Sequence, residues 1–188
     1  MDKDGIISLL KNGGIGVLAT DTLYGVVGKA LSEEIVERIY KVRRRNPDKP
    51  LIILISSIQD LEFFGISPES EEVNLAQKYW PGKVSIILPC ADARFRYLHR
   101  GTNSLAFRLP EKPDLLQILK ETGPLVAPSA NYEGYPPAYT IEEAYKYFGD
   151  EVDFYEDSGE VKSEPSTIIK IEGNQTFLVR KGVVEFTN

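Results

Sequence analysis

"SEEIVERIYKVRRRNPDKPLIILIS", residues 32–56, reads as a helix, a turn and a buried strand in direct succession. At about 100° per residue, Ile35, Val36, Ile39, Tyr40 and Val42 fall on one broad apolar stripe. Ser32 stands where an N-cap belongs, so the spacing predicts a helix over 32–44. Asn46-Pro47-Asp48 has the chemistry of a turn. "PLIILIS" (50–56) is apolar without alternation, the pattern of a strand covered on both faces. A helix feeding such a strand predicts an α/β architecture.

The alternation continues outward in both directions. A helix is expected over 2–12, stopped by Gly13-Gly14, and then a strand over 15–20. After residue 56, "SIQDLEFFG" and "ESEEVNLAQKYW" read as helices, the second ended by Pro81-Gly82. "KVSIILP" and "SLAFRLP" read as strands. "DLLQILKET" is a helix, "GPLVAPSAN" a short strand running into a loop, and "TIEEAYKYFG" a helix. "VDFYE", "STIIKI", "TFLVR" and "VVEF" are expected as short strands. The fold expected is an open, twisted, mixed β-sheet with flanking helices, and no linker, repeat or composition shift divides residues 1–188.

The chain has 188 residues and a net charge of -6, with 42% apolar and 27% charged residues. No apolar run approaches the roughly 20 residues of a membrane span. The N-terminus lacks the pattern of an export signal, so a cytoplasmic location is expected. Cys90 is the only cysteine, which rules out an internal disulfide. The acidic balance speaks against broad nucleic-acid binding, which needs an extended basic face. It leaves room for a small anion held in a locally positive cleft.

Residues 41–50, "KVRRRNPDKP", carry five basic side chains. Lys41 and Arg45 share one side of the helix. Arg43 falls within the apolar stripe, where a charge is costly unless it meets a partner or a cleft. Two readings follow: arginines solvated at a fraying helix end, or Arg43 and Arg45 gripping an anion, for which guanidinium forks are suited.

Several familiar motifs are missing. There is no phosphate-binding G-x-x-x-x-G-K-[ST]. "GIGVLA" (14–19) matches G-x-G-x-x-A but lies within a strand instead of opening a helix, so it is not a dinucleotide fingerprint. His99 is the only histidine, read as a surface or loop residue. With Cys90 read as a small buried residue, no multi-ligand metal site is expected. Polar loops do follow apolar strands, where α/β folds place ligands. These are "TDTLYG" (20–25) with Thr22 and Tyr24, "PSAN" (128–131) with Ser129 and Asn131, and "EPSTII" (164–169) with Ser166. Ser104, Arg108 and Arg180 complete the candidates.

In this order, "TDTLYG", "RRRNPDKPL", "KYWPGKVSIIL", "LAFRLP", "APSAN", "PSTII" and "LVRKG" resemble the YrdC-like threonylcarbamoyl-AMP synthase family, across about residues 14–183. The resemblance implies an open twisted sheet with a concave positive face. It also implies a nucleotidyltransferase reaction, in which ATP, L-threonine and bicarbonate give threonylcarbamoyl-AMP and pyrophosphate. Mg²⁺ would come with ATP, and a downstream transferase complex would use the product to modify tRNA adenosine. Aligned without gaps, the family's K-x-R falls on Arg43-Arg44-Arg45, so arginine stands where the family has lysine.

The resemblance assigns the triphosphate and carbamate to Arg43 and Arg45, with Lys41 nearby. It assigns the nucleotide to Ser129, Asn131, Ser166 and Arg180. Thr22, Tyr24 and Ser104 fall to the threonine side, and Arg108 to the junction. Tyr139 or Thr140 is expected to supply a further nucleotide contact, because "GYPPAYT" departs from the family's Ser/Pro/Thr-rich loop. Three other readings stay open at this point: an RNA-binding YrdC-like module that contacts tRNA directly, a related carbamoyl-transfer enzyme, and a catalytically weakened homologue.

Overall fold

A computed structural model describes residues 1–186. Nine strands form one sheet, and the 32–56 stretch supplies its centre. The strands are β1 (Gly16–Ala19), β2 (Tyr24–Lys29), β3 (Ile52–Leu54), β4 (Val84–Pro89), β5 (Ser104–Arg108), β6 (Leu125–Val126), β7 (Phe154–Tyr155), β8 (Thr167–Glu172) and β9 (Gln175–Arg180). Their order across the sheet is β7-β1-β2-β6-β3-β5-β4-β8-β9. β3 runs parallel to β5 and antiparallel to β6, and β4 pairs parallel with β8, so the sheet is mixed as expected.

The helices are α1 (Lys3–Lys11), α2 (Glu33–Val42), α3 (Glu71–Ala76), α4 (Arg96–His99), α5 (Pro113–Thr122) and α6 (Ile141–Phe148). Ile35, Val36, Ile39 and Tyr40 of α2 enter the main core with Ile53, Ile86, Phe107 and Ile169 from one face of the sheet. On the other face, Ile6, Leu10, Leu115, Ile118 and Leu119 of α1 and α5 pack on Leu18, Val27, Leu54 and Leu125. α1 and α5 cover only part of that second face. Ile52, Ile87, Ala106 and Ile168, next to core residues along their strands, are left lining a cleft.

Three expectations are corrected. The stretch after "TDTL" is a full strand, β2, and not a loop: Tyr24 and Gly25 begin it, with Ala19 opposite Tyr24 in the β1–β2 hairpin. The second helix of the 57–80 region ends at Ala76, before Pro81. "VVEF" forms no strand. The G-x-G match also has its physical reason: a Cβ on Gly16 would lie 2.4 Å from the Phe154 ring, so this glycine admits the side chain of the neighbouring strand β7.

Candidate active site

The uncovered sheet face is a cleft of ≈ 330 Å³, within the usual range for a small-molecule site. Four segments converge on it. The β1–β2 turn is tied by Thr20, whose Oγ1 accepts from the backbone N–H groups of Thr22 and Leu23 and donates to the Leu23 carbonyl at 2.7 Å. The turn presents Thr22 to Arg108, which stands at the end of β5. Arg108 Nη1 donates to Thr22 Oγ1 at 3.3 Å, and Nη2 lies 3.1 Å from Asp21 Oδ1. Both members of this ion pair are buried, at 4% and 3% side-chain exposure. Burial lowers the Arg108 pKa and Asp21 opposes that shift.

The second segment is the end of α2. The helix stops at Val42 because Arg43 caps it and Arg44 takes a left-handed φ of 49°. Arg44 then stacks over the Tyr132 ring at the surface, 4.0 Å from its centre. The third segment, Pro128–Asn131, runs alongside β2: Val26 N donates to the Pro128 carbonyl and Ala130 N to the Tyr24 carbonyl. This pairing sets Ser129 and Asn131 beside Arg43. Arg43 Nη2 donates to Asn131 Oδ1 at 3.2 Å and to Ser129 Oγ at 3.4 Å, and Ser129 Oγ donates to Asn131 Oδ1 at 2.6 Å. Arg43 is only 2% exposed, and its Nε and Nη1 have no partner among the described residues. Burial, reinforced by the charge of Arg45, pulls its pKa down to about 10.

Arg45 is fastened to its own turn, donating from Nε to the Lys49 carbonyl and from Nη2 to the Pro50 carbonyl at 2.9 Å. The fourth segment is the entry to β8 with the end of β9 beside it. Arg180 Nη2 donates to the Ser166 carbonyl at 2.7 Å, and the Ser166 hydroxyl lies 2.8 Å from that of Ser85. Desolvation and the charges of Arg108 and Arg45 lower the Arg180 pKa, which places three guanidinium groups in one field. A Cβ on Gly182 would fall 2.3 Å from the Pro165 carbonyl oxygen, so only glycine lets the chain close against this wall.

Thr22, Tyr24, Arg43, Arg45, Ser104, Arg108, Ser129, Ser166 and Arg180 therefore line one cleft. Several expected site residues differ. Lys41 is exposed and does not line it. Asn131 lies behind Arg43: its Nδ2 donates to the Tyr132 and Tyr135 carbonyls, so both amide hydrogens are engaged and none is left for a phosphate. Tyr24 presents its ring but not its hydroxyl, which donates to the Gly159 carbonyl and accepts from Ser158 N. Thr140 caps α6 by accepting from Glu143 N, and Tyr139 does not reach the cleft, so neither supplies the extra nucleotide contact. His99 is buried, against the expectation of a surface or loop position, with Nδ1 accepting from Gly101 N.

Asp21, Thr20 and Thr102 were missed as members of the site or its support. Thr20 and Thr102 line the cleft, and Asp21 holds Arg108. The signal for Asp21 was its place between two hydroxyls in a strand-end turn. A carboxylate is easily passed over when the ligand sought is an anion. Of the four arginines in the cleft, only Arg108 is paired with a carboxylate among the described residues. Like charges packed with unpartnered N–H groups are costly unless an anion completes them. Cys90 and His99 do not line the cleft, and its arginines and hydroxyls suit a multiply charged anion.

The structure is an α/β protein with a mixed sheet and an arginine- and hydroxyl-lined cleft on one face. The chain belongs to the Sua5/YciO/YrdC family, described as "Telomere recombination", whose model matches residues 8–182. It is 30% identical over 179 residues to a putative threonylcarbamoyl-AMP synthase of Mycobacterium tuberculosis, spanning 95% of this chain and 82% of that one. A putative synthase of Methanocaldococcus jannaschii is 33% identical, spanning 92% and 82%. The crystal structure of Pyrococcus abyssi Sua5 complexed with L-threonine superposes with a TM-score of 0.86 at 29% identity, covering 96% of this chain and 54% of that one. The chain thus spans about half the length of that Sua5. No helix among the described residues is long and apolar enough to cross a membrane.

Proposed function

We propose that residues 1–188 form one YrdC-like domain that makes threonylcarbamoyl-AMP and pyrophosphate from L-threonine, bicarbonate and ATP. One observation carries the reading: Arg43, Arg45, Arg108 and Arg180 share a single cleft with Thr22, Ser104, Ser129 and Ser166, and buried N–H groups of Arg43 and Arg108 have no partner among the described residues. A triphosphate and a carboxylate together supply the acceptors that these groups lack.

In this reading, the threonine amine adds to CO₂ with loss of a proton, or to bicarbonate with loss of water, to give a carbamate. A carbamate oxygen attacks the α-phosphorus of ATP, the bond to the bridging oxygen breaks, and pyrophosphate leaves. Arg43 and Arg45 offset the charge on the phosphates and carbamate. Arg180, Ser166 and Ser129 hold the nucleotide side. Thr22 and Ser104 face threonine with the Tyr24 ring, and Arg108 stands at the junction. Catalysis then comes from positioning and fixed positive charge.

Among the described residues no cluster of three or more His, Cys, Asp or Glu could hold a metal, and Asp21 is engaged with Arg108. Mg²⁺ would accordingly enter on the triphosphate and be held by its oxygens. The same reading gives the product to a transferase complex that modifies tRNA, and it places the protein in the cytoplasm.

The test is pyrophosphate release from ATP and Mg²⁺, measured with and without L-threonine and bicarbonate, with serine as comparison. Release that needs both threonine and bicarbonate supports the reading. ATP binding without release under any of these conditions overturns it.

A further inference from the structure

Ala19 is the last residue of β1 and the step into the turn that carries Asp21 and Thr22. β7 pairs with β1 only at Gly16 and Val17, and its last ladder bond runs from Glu156 N to the Val17 carbonyl at 2.8 Å. Beyond that point the outer edge of β1 has no strand beside it among the described residues. Ala19 is nonetheless 2% exposed, so its outward backbone groups need partners within the protein. Two side chains supply them. Lys112 Nζ donates to the Ala19 carbonyl at 2.7 Å, and Ala19 N is 3.5 Å from Glu156 Oε2.

Lys112 lies four residues beyond Arg108, at the N-cap of α5. One short segment therefore meets the β1–β2 turn at both ends: Arg108 meets Asp21 and Thr22, and Lys112 meets Ala19. Lys112 does not line the main cleft. It borders a separate hollow of ≈ 240 Å³ with Ile6, Leu115 and Glu156.

We infer that Lys112 is a positioning residue: by holding the Ala19 carbonyl it fixes the Thr20–Tyr24 turn, and with it the amino-acid side of the cleft, in register with Arg108. This rests on the synthase reading, because it assigns the turn to threonine.

The experiment compares Lys112→Met, which keeps the apolar stem and removes the donor, with Lys112→Arg, which restores one. KM for L-threonine and for ATP are read separately from pyrophosphate release. Loss of one partly buried charged donor predicts a rise of about tenfold in KM for threonine. KM for ATP should stay within about twofold, and Lys112→Arg should recover most of the loss. An equal rise in both constants, or no rise in either, overturns the inference.

A second readout does not depend on turnover. Amide exchange at Thr22 and Leu23, whose N–H groups bond to Thr20 Oγ1, should quicken in Lys112→Met while Val26 and Ala130 keep their protection. Unchanged protection at Thr22 and Leu23 overturns the inference even if the wild-type protein proves not to be a synthase. If Lys112→Met does not fold, Lys112→Leu, which also lacks a donor, serves the same two measurements.

Discussion

Arg43 and Asn131, 88 positions apart, are joined by a 3.2 Å hydrogen bond from the guanidinium to the amide oxygen. Because Ser129 donates to that same oxygen, the end of α2 and the loop after β6 act as one polar unit. The amide's other end grips two backbone carbonyls, so Asn131 sets where Arg43 points without itself facing the cleft. Asn131→Ala should lower kcat/KM for ATP by about 10–100-fold, the equivalent of one lost hydrogen bond to a buried charge. Steady-state kinetics at varied ATP check this.

Arg43 also sets a pH limit. Its pKa is pulled from the usual guanidinium range down to about 10, first by burial and then by Arg45. The unfolded chain holds that proton to the higher, ordinary guanidinium range, so as pH rises above about 10 this group alone makes stability rise until the unfolded chain loses its proton too. Binding runs the other way, because a neutral Arg43 attracts phosphate less. kcat/KM for ATP, which reports the free enzyme, should fall as pH passes upward through about 10. Arg43→Gln should lack that limb of the pH profile while starting from a far lower rate.

Asp21 and Arg108 form a buried pair, and removing one member leaves the other charge uncompensated. Asp21→Asn is expected to destabilise the ligand-free protein by about 3–5 kcal/mol. Inorganic pyrophosphate should raise Tm in wild type and raise it more in the variant, since an added anion offsets part of the exposed imbalance. Thermal unfolding with and without pyrophosphate checks both statements. An equal shift in the two proteins would contradict them.

Two glycines separate stability from function. Gly16→Ala forces a Cβ to within 2.4 Å of the Phe154 ring, far from the arginines, and should cost about 1–3 kcal/mol while leaving KM for ATP unchanged. Gly182→Ala drives a Cβ against the Pro165 and Ser166 backbone, which carries Arg180, and should raise KM for ATP as well as lower Tm. Calorimetry and kinetics on the two variants make the comparison.

Much of the site was legible because polar residues at strand ends are local features. Thr22, Ser129 and Ser166 each follow or open an apolar strand, and Arg43 betrayed itself as a charge on the apolar side of α2. β2 was not legible. "YGVVGK" has two glycines and a lysine among its apolar residues, and its strand character comes from pairing with β1 and β6. Lys41 and Arg45 looked equivalent four residues apart. The helix ended between them, so that Arg45 turned toward the cleft while Lys41 stayed on an outer face.

The sequence by itself determined the α/β class, the buried central strand and the set of arginines and hydroxyls available to an anion. These follow from periodicity and composition, which are properties of the chain read in order. Only the tertiary structure decided which of those groups face the cleft and which stand behind it. Asn131, the Tyr24 hydroxyl, Asp21 and Lys112 are all engaged by partners distant in sequence. A polar group's role depends on whether folding leaves its hydrogen bonds free, and no local pattern records that.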